Sequence, residues 1–179
     1  MLFFCYHRDR PGSAALRDAL LEDHWSYMDA YADRLVARGP TFDGDTLTGS
    51  VHVVDLPGPA AARAFPFDEP NHRAGVYRDV LLRRWRNVLD RTMWDFTGGD
   101  GPRFLVLGLG EGPAADLEPA QGDDEFVAYG PLLSDDEGSW LGTAALVRAA
   151  DAASARTALT VDRYAAIEVH AWRPGGRPG

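Results

Sequence analysis

The side chain in this chain best placed to do chemistry is His24. It lies within residues 13–40, SAALRDALLEDHWSYMDAYADRLVARGP, whose pattern predicts one long helix. At about 100° per residue, Leu16, Leu20, Tyr27, Tyr31 and Leu35 fall in a single stripe about 100° wide, and His24 projects into it. Asp18, Glu22, Asp33 and Arg34 lie mostly off that stripe. Ser13 suits the N-cap, and Gly39-Pro40 is the expected stop. An imidazole aimed at a core has its protonation set by its surroundings. A carboxylate beside it would fix the tautomer and make the ring a general base near neutral pH, able to take a proton from a phenol or from carbon next to a carbonyl. A core histidine bonded to backbone has the same sequence signature.

Other reactive side chains point to less. His7, His52, His72 and His170 have no metal-ligand spacing, and His52 has neither a cysteine nor an in-step carboxylate near it, so no metal is expected. The single cysteine, Cys5, cannot form an internal disulfide and reads as a small core residue on a strand. Gly108, Gly110 and Gly112 follow a strand but lead into prolines and acids, not a helix, which argues against a dinucleotide site; no other cofactor is expected. All 18 basic residues are arginine, a pattern of GC-rich coding, and the net charge of −9 disfavours binding to a phosphate backbone. Arg83, Arg84 and Arg86 therefore read as solvated or paired side chains, not as a nucleic-acid patch. The opening MLFFCYHRDR has no basic leader, and no apolar run reaches membrane-spanning length, so a soluble cytoplasmic protein with no membrane partner is expected.

The elements that must position His24 follow from the pattern. Residues 2–6 suit a buried strand. Residues 41–48 suit a hairpin-like connection, and 49–56, GSVHVVDL, suit a strand with Val51 and Val53 on one face and His52 and Val54 on the other. Residues 59–65 suit a short helix that ends before Pro70. Residues 74–89 fit a helix as well as a strand, and a repeat decides for a strand over 77–86. Gly39-Pro40 recurs as Gly130-Pro131, Gly49-Ser50 as Gly142-Thr143, and the Trp85 end as Trp172, at a spacing of about 90 residues, which indicates two related units. The second opens with a strand at 103–109 and closes with one at 166–172. Between residues 110 and 125 it has an acidic stretch with Pro113 and Pro119 in place of a long helix. The final RPGGRPG has too little apolar content to order itself.

These features together resemble the YciI-like (YCII-related) family: the histidine-bearing first helix, Gly39-Pro40, Gly49-Ser50 opening a strand, and Glu69-Pro70 followed by Arg73-Ala74-Gly75-Val76-Tyr77. The resemblance covers residues 2–94 well and 103–172 as a divergent second copy. It implies an α+β fold: two ferredoxin-like units, antiparallel sheets with helices outside, forming the dimeric α+β barrel of that superfamily within one molecule. Residues 1–96 would carry the site, 97–102 the linker, 103–173 the second repeat and 174–179 a flexible tail. The molecule would be a monomeric pseudo-dimer, or a homodimer of such units.

The family's proposed centre is a histidine with an aspartate, and its relatives include cofactor-free enzymes acting on small aromatic or lactone substrates, a dehydrochlorinase among them. Carried over by position, the histidine is His24 and the acid before proline is Glu69. This chain has glutamate where the family has aspartate, and Asp68 precedes it, so either acid can serve as the partner. Tyr6, Ser50 and Tyr77 are candidates to contact the same substrate cavity. Arg73 can bind an anionic substrate through its planar fork or form a surface salt bridge. The expected function is a cofactor-independent lyase or isomerase acting by proton abstraction on an aromatic or lactone-like metabolite. The alternatives are a non-catalytic metabolite-binding or scaffolding module and a cofactor-free oxygenase of the same superfamily.

Overall fold

Eight antiparallel strands close on themselves in the order β1-β3-β2-β8-β5-β7-β6-β4. The computed structural model describes residues 1–114, 123–159 and 161–177. Within them the strands are β1 (Leu2–Asp9), β2 (Leu35–Asp43), β3 (Thr46–Asp55), β4 (Tyr77–Trp85), β5 (Arg103–Pro113), β6 (Phe126–Leu133), β7 (Ser139–Arg148) and β8 (Ala166–Trp172). The helices are α1 (Ala14–Ala19), α2 (Leu21–Asp29), α3 (Pro59–Phe67), α4 (Pro70–Arg73) and α5 (Ala152–Arg156). Each half of the closed sheet has the same internal order, 4-1-3-2 and 8-5-7-6. No described helix is long and apolar enough to cross a membrane. Of the acidic stretch read between 110 and 125, residues 110–113 belong to β5 and Asp123–Glu125 form a 3-10 turn, while 115–122 lie outside the described residues.

The period of two decides which face each strand residue takes. Phe4 and Tyr6 on β1, Val51 and Val53 on β3, and Leu105, Leu107, Leu132 and Leu146 from the second half fill the lumen, with Trp85 and Trp172. Phe3, Cys5 and Val54 point the other way, under α2 and α3, against Met28, Ala62 and Phe65. The outer face of the second half is apolar too, with Phe104, Val106 and Val147 packed beneath Ala155 and Leu159. The lumen is therefore a shared core.

The long helix expected over 13–40 is broken. It runs as α1 and α2, tightens into a 3-10 turn at Ala32–Arg34, and gives way to β2 at Leu35. Leu35, Val36 and Ala37 are buried in succession, as a strand covered on both faces requires, with a bulge between Leu35 and Ala37. Leu35 matched the helical stripe by coincidence of spacing. Gly39-Pro40 consequently lies inside β2 and is no helix stop, and Gly130-Pro131 lies inside β6. The connection expected over 41–48 shrinks to a turn at Gly44, with Asp43 paired to Thr46.

These two glycines sit at the seams that close the barrel. β2 meets β8 through Thr41↔Trp172 and Phe42↔Ala171, and β4 meets β6 through Arg84↔Leu133 and Trp85↔Leu132. A Cβ on Gly39 would strike the carbonyl oxygen of Arg173, and one on Gly130 that of Arg86. The seams continue past the strands in matching fashion. Arg173 N–H donates to Pro40 O at 3.2 Å and Gly175 N–H to Arg38 O at 3.1 Å; Arg86 N–H donates to Pro131 O at 3.3 Å and Val88 N–H to Tyr129 O at 3.1 Å. The tail expected to be flexible from 174 is thereby tied down as far as Arg177, whose guanidinium bonds both oxygens of Glu22 at 2.9 Å and Asp29 at 3.1 Å and lies over Trp25. Backbone pairing, not apolar content, orders it; residues 178–179 lie outside the described range.

Close backbone approach at the seams leaves no room for a side chain on either glycine. Gly39→Ala and Gly130→Ala are each expected to destabilise by about 1–3 kcal/mol, the range for forced overpacking. Gly58→Ala, where a Cβ would meet open space and only the N-cap preference of α3 is lost, should cost less, about 0.5–1 kcal/mol. Urea unfolding of the three variants checks this.

Candidate functional site

Proline disfavours a helical residue before it, and Glu69, preceding Pro70, is accordingly extended at φ −66° and ψ 136° as the N-cap of α4. Its Oε2 accepts the His72 N–H at 3.0 Å. Its Oε1 lies 2.7 Å from Nδ1 of His24. The side chain has no solvent-accessible surface. Burial pushes its carboxyl up, but the hydrogen bond and charge of His24, helped by His7, outweigh that and hold it below the ordinary carboxylate range. An ionised carboxylate only accepts, so the shared proton belongs on Nδ1 and Nε2 is left as the basic nitrogen. Of the two acids, it is Glu69 that meets His24. Asp68 instead meets Arg73 at 2.8 Å on the surface.

Beneath His24 the outer face of the first half-sheet is polar. Register pairs His7 with Ser50, Cys5 with His52, and Arg38 with His52, and alternation turns His7, Ser50, His52 and Arg38 toward the helices. The His52 ring stands 5.9 Å from that of His24 and 5.4 Å from that of His7. Tyr77 packs on His7 at 4.6 Å, and its hydroxyl accepts from Asn71 Nδ2 at 3.2 Å. Burial pushes His7 down to about 3, despite the opposing charge of Glu69. His52 is driven well below its usual range, first by burial and then by His7, His24, Arg17 and Arg38. Both rings are neutral at neutral pH. Among the described residues no group of three or more His, Cys, Asp or Glu side chains is arranged to hold a metal ion.

Arg17 completes the floor. Seven residues before His24, it falls on the same helical face, and it is 7% exposed. Nη1 bonds Asp9 Oδ1 at 2.6 Å and Nη2 donates to Ser50 Oγ. A cavity of about 260 Å³ opens beside these groups, lined by His24, His52, Ser50, Arg17 and Arg38 on its polar side and by Leu21, Trp25 and Met28 on its apolar side. Gly175 and Gly176 of the docked tail form part of its wall.

Of the residues expected to contact substrate, Ser50 and Tyr77 belong to this cluster. Tyr6 does not: β1 alternation turns it into the lumen, where its hydroxyl meets Thr41 Oγ1 at 3.2 Å. Arg73 does not either, being held by Asp68 on the outside of α4. Sequence reasoning missed His7, Arg17, Arg38 and His52. Arg17 was recoverable from its spacing to His24. The other three needed strand register, because alternation places a residue on a face without saying which neighbours share it.

Residues 1–86 match the YCII-related domain. Comparison with curated proteins finds no match. Among solved structures, the chain is similar to 5-chloro-2-hydroxyhydroquinone dehydrochlorinase from Burkholderia phenoliruptrix in complex with 2,5-dihydroxybenzoquinone. The identity is 26%, covering 51% of this chain and 99% of that chain, with a TM-score of 0.47.

The buried neutral histidines make stability depend on pH. His7 and His52 have folded values depressed below the unfolded one, so below about pH 6.5 the unfolded state takes up protons that the folded state refuses. The stabilisation is fully present above that pH. It falls as pH drops toward the folded value, which for His7 is about 3, with a slope approaching about 1.4 kcal/mol per pH unit for each histidine. Urea unfolding at pH 7.5, 6.0 and 5.0 should show this decline, and His7→Gln should flatten it even if the variant starts less stable.

Proposed function

We propose that the chain is a cofactor-independent enzyme of lyase or isomerase type, in which His24 Nε2 removes a proton from a small aromatic or lactone-like metabolite. The observation that carries the reading is the 2.7 Å contact between a fully buried carboxylate and Nδ1 of His24, whose side chain lines a cavity. Glu69 acts as a positioning residue. One of its oxygens is committed to the α4 N-terminus, so the other presents a fixed acceptor that sets the imidazole tautomer and stabilises the imidazolium formed as the proton is taken. Neutral His7 and His52 add no competing positive charge beneath the ring. The cavity volume suits a single substituted ring, and its mixed lining suits a body that is apolar with polar substituents.

Proton abstraction alone gives an enolate or phenolate equivalent, which can collapse in two ways. Return of the proton from imidazolium to a different carbon isomerises the substrate; departure of a leaving group with its electron pair completes an elimination. The match of residues 1–86 to the YCII-related domain supports reading the first half as the site-bearing copy. We infer that residues 103–173 are a second copy that closes the barrel as scaffold, a reading supported by the equal strand order of the halves and the apolar face under α5.

A panel of acidic aromatics and lactones incubated in D₂O tests the proposal, with solvent deuterium incorporation or leaving-group release as the readout. His24→Ala is expected to abolish turnover of any active compound. Glu69→Gln should lower kcat by about 10²–10⁴-fold, the range for a positioned acid or base, while Asp68→Asn leaves it within about twofold. Nitrogen-15 NMR of the His24 ring should report the Nδ1-protonated tautomer in the wild type and lose it in Glu69→Gln. A folded His24→Ala that turns over substrate at the wild-type rate overturns the reading.

A further inference from the structure

We infer that the cavity takes its ligand as an anion, with a carboxylate or phenolate oxygen held by Arg38. This rests on reading the His24 cavity as the substrate site. Arg38 lies on β2 directly across from His52 and lines the cavity with His24 and Ser50. Its Nε donates to the Gly175 carbonyl at 3.0 Å, and its guanidinium stands over the Trp94 ring at 5.9 Å. Among the described residues it has no carboxylate partner, and its terminal nitrogens make no hydrogen bond. This sets it apart from Arg17, which Asp9 neutralises at 2.6 Å, and from Arg177, which Glu22 and Asp29 neutralise. Asp29 on the cavity rim is thereby occupied, and Asp18 is exposed to solvent.

A half-buried guanidinium without a counter-charge, facing a partly enclosed space, favours a planar anion that can accept two of its N–H groups. The tail fixes it for that purpose. Gly175 holds Nε from one side, and a Cβ on Gly176 would strike the guanidinium, so the segment arriving from β8 packs against Arg38 and limits its rotamers. The arrangement belongs to the first half. On the other seam, where Val88 takes the place of Gly175, the residue matching Arg38 is Tyr129, which is buried. An anionic oxygen at Arg38 would also set the ring's orientation toward His24 and stabilise negative charge that develops when the proton leaves.

Isothermal titration calorimetry and histidine-ring NMR with benzoate and salicylate, against their neutral counterparts benzamide and salicylamide, test the assignment without requiring turnover. At least one anion is expected to bind the wild type saturably, with shifts of the His24 and His52 ring signals, and at least about tenfold more tightly than its amide. Arg38→Gln should reduce that anion's affinity about 10–100-fold, the worth of a charge-assisted hydrogen bond, and leave the amide within about threefold. The anion-over-amide preference, and its loss in Arg38→Gln, should persist in a His24→Ala background, which separates this inference from the base assignment: loss of turnover with a retained Arg38-dependent preference supports anion capture on its own. Equal affinity of acid and amide in the wild type, no binding by either anion, or an Arg38→Gln variant that binds the anion unchanged overturns it.

Discussion

Closure of the eight-stranded sheet is the constraint on which the rest of this protein depends. A closed sheet has no edge strand left to pair, and closing it leaves a lumen that side chains must fill. Here two tryptophans and a set of leucines and valines from both halves fill it. The seams are short, two residue pairs each, and hold because glycine on one strand lets the backbone of the other pass close by. With the lumen packed, polar chemistry can be buried only outside the sheet, under helices. That is where His24 and Glu69 meet.

Burying that chemistry has a cost that the local structure offsets piece by piece. A carboxylate without solvent contact needs partners for its oxygens, and Glu69 has one from the backbone of its own helix and one from His24. Asp9 has Arg17, and Arg17 in turn has Ser50. The two histidines of the sheet face meet the same requirement differently, by staying neutral, so that burial shifts their titration instead of leaving charges unpaired. The result is a hydrogen-bonded carboxylate and imidazole over a floor of neutral imidazoles, beside a cavity of about 260 Å³.

The two halves share strand order but differ in what covers their outer faces. The first half has α1 and α2 spanning its outer face with a cavity beneath them; the outer face of the second is covered by the apolar packing of α5. The second half still reaches the site, because its last strand continues across the seam. Residues 173–177 pair with β2, wall the cavity and anchor on α2, so the floor and one wall of the same cavity come from opposite ends of the chain.

Much of this was legible in the sequence, because it depends on local rules. Alternation assigned β3 and β8, the proline at position 70 marked the end of the short helix before it, and the spacing of Gly-Pro, Gly-Ser/Thr and Trp pairs outlined two similar halves. His24 on the buried face of a helix also followed from periodicity. What the sequence could not decide depends on which strand lies beside which. The stripe that ran on to Leu35 could not distinguish a helix from a strand buried on both faces; pairing with β3 and β8 made it β2. Tyr6 and His7 are neighbours in sequence, yet alternation in a closed sheet turns one into the lumen and the other beneath His24. Asp68 and Glu69 are equally acidic, and only the start of α4 directs one inward and leaves the other to Arg73. The tail has no apolar residue beyond Trp172 to bury, so composition argued for disorder. The tertiary structure ordered it because a strand that crosses a seam has a backbone partner waiting on the other side.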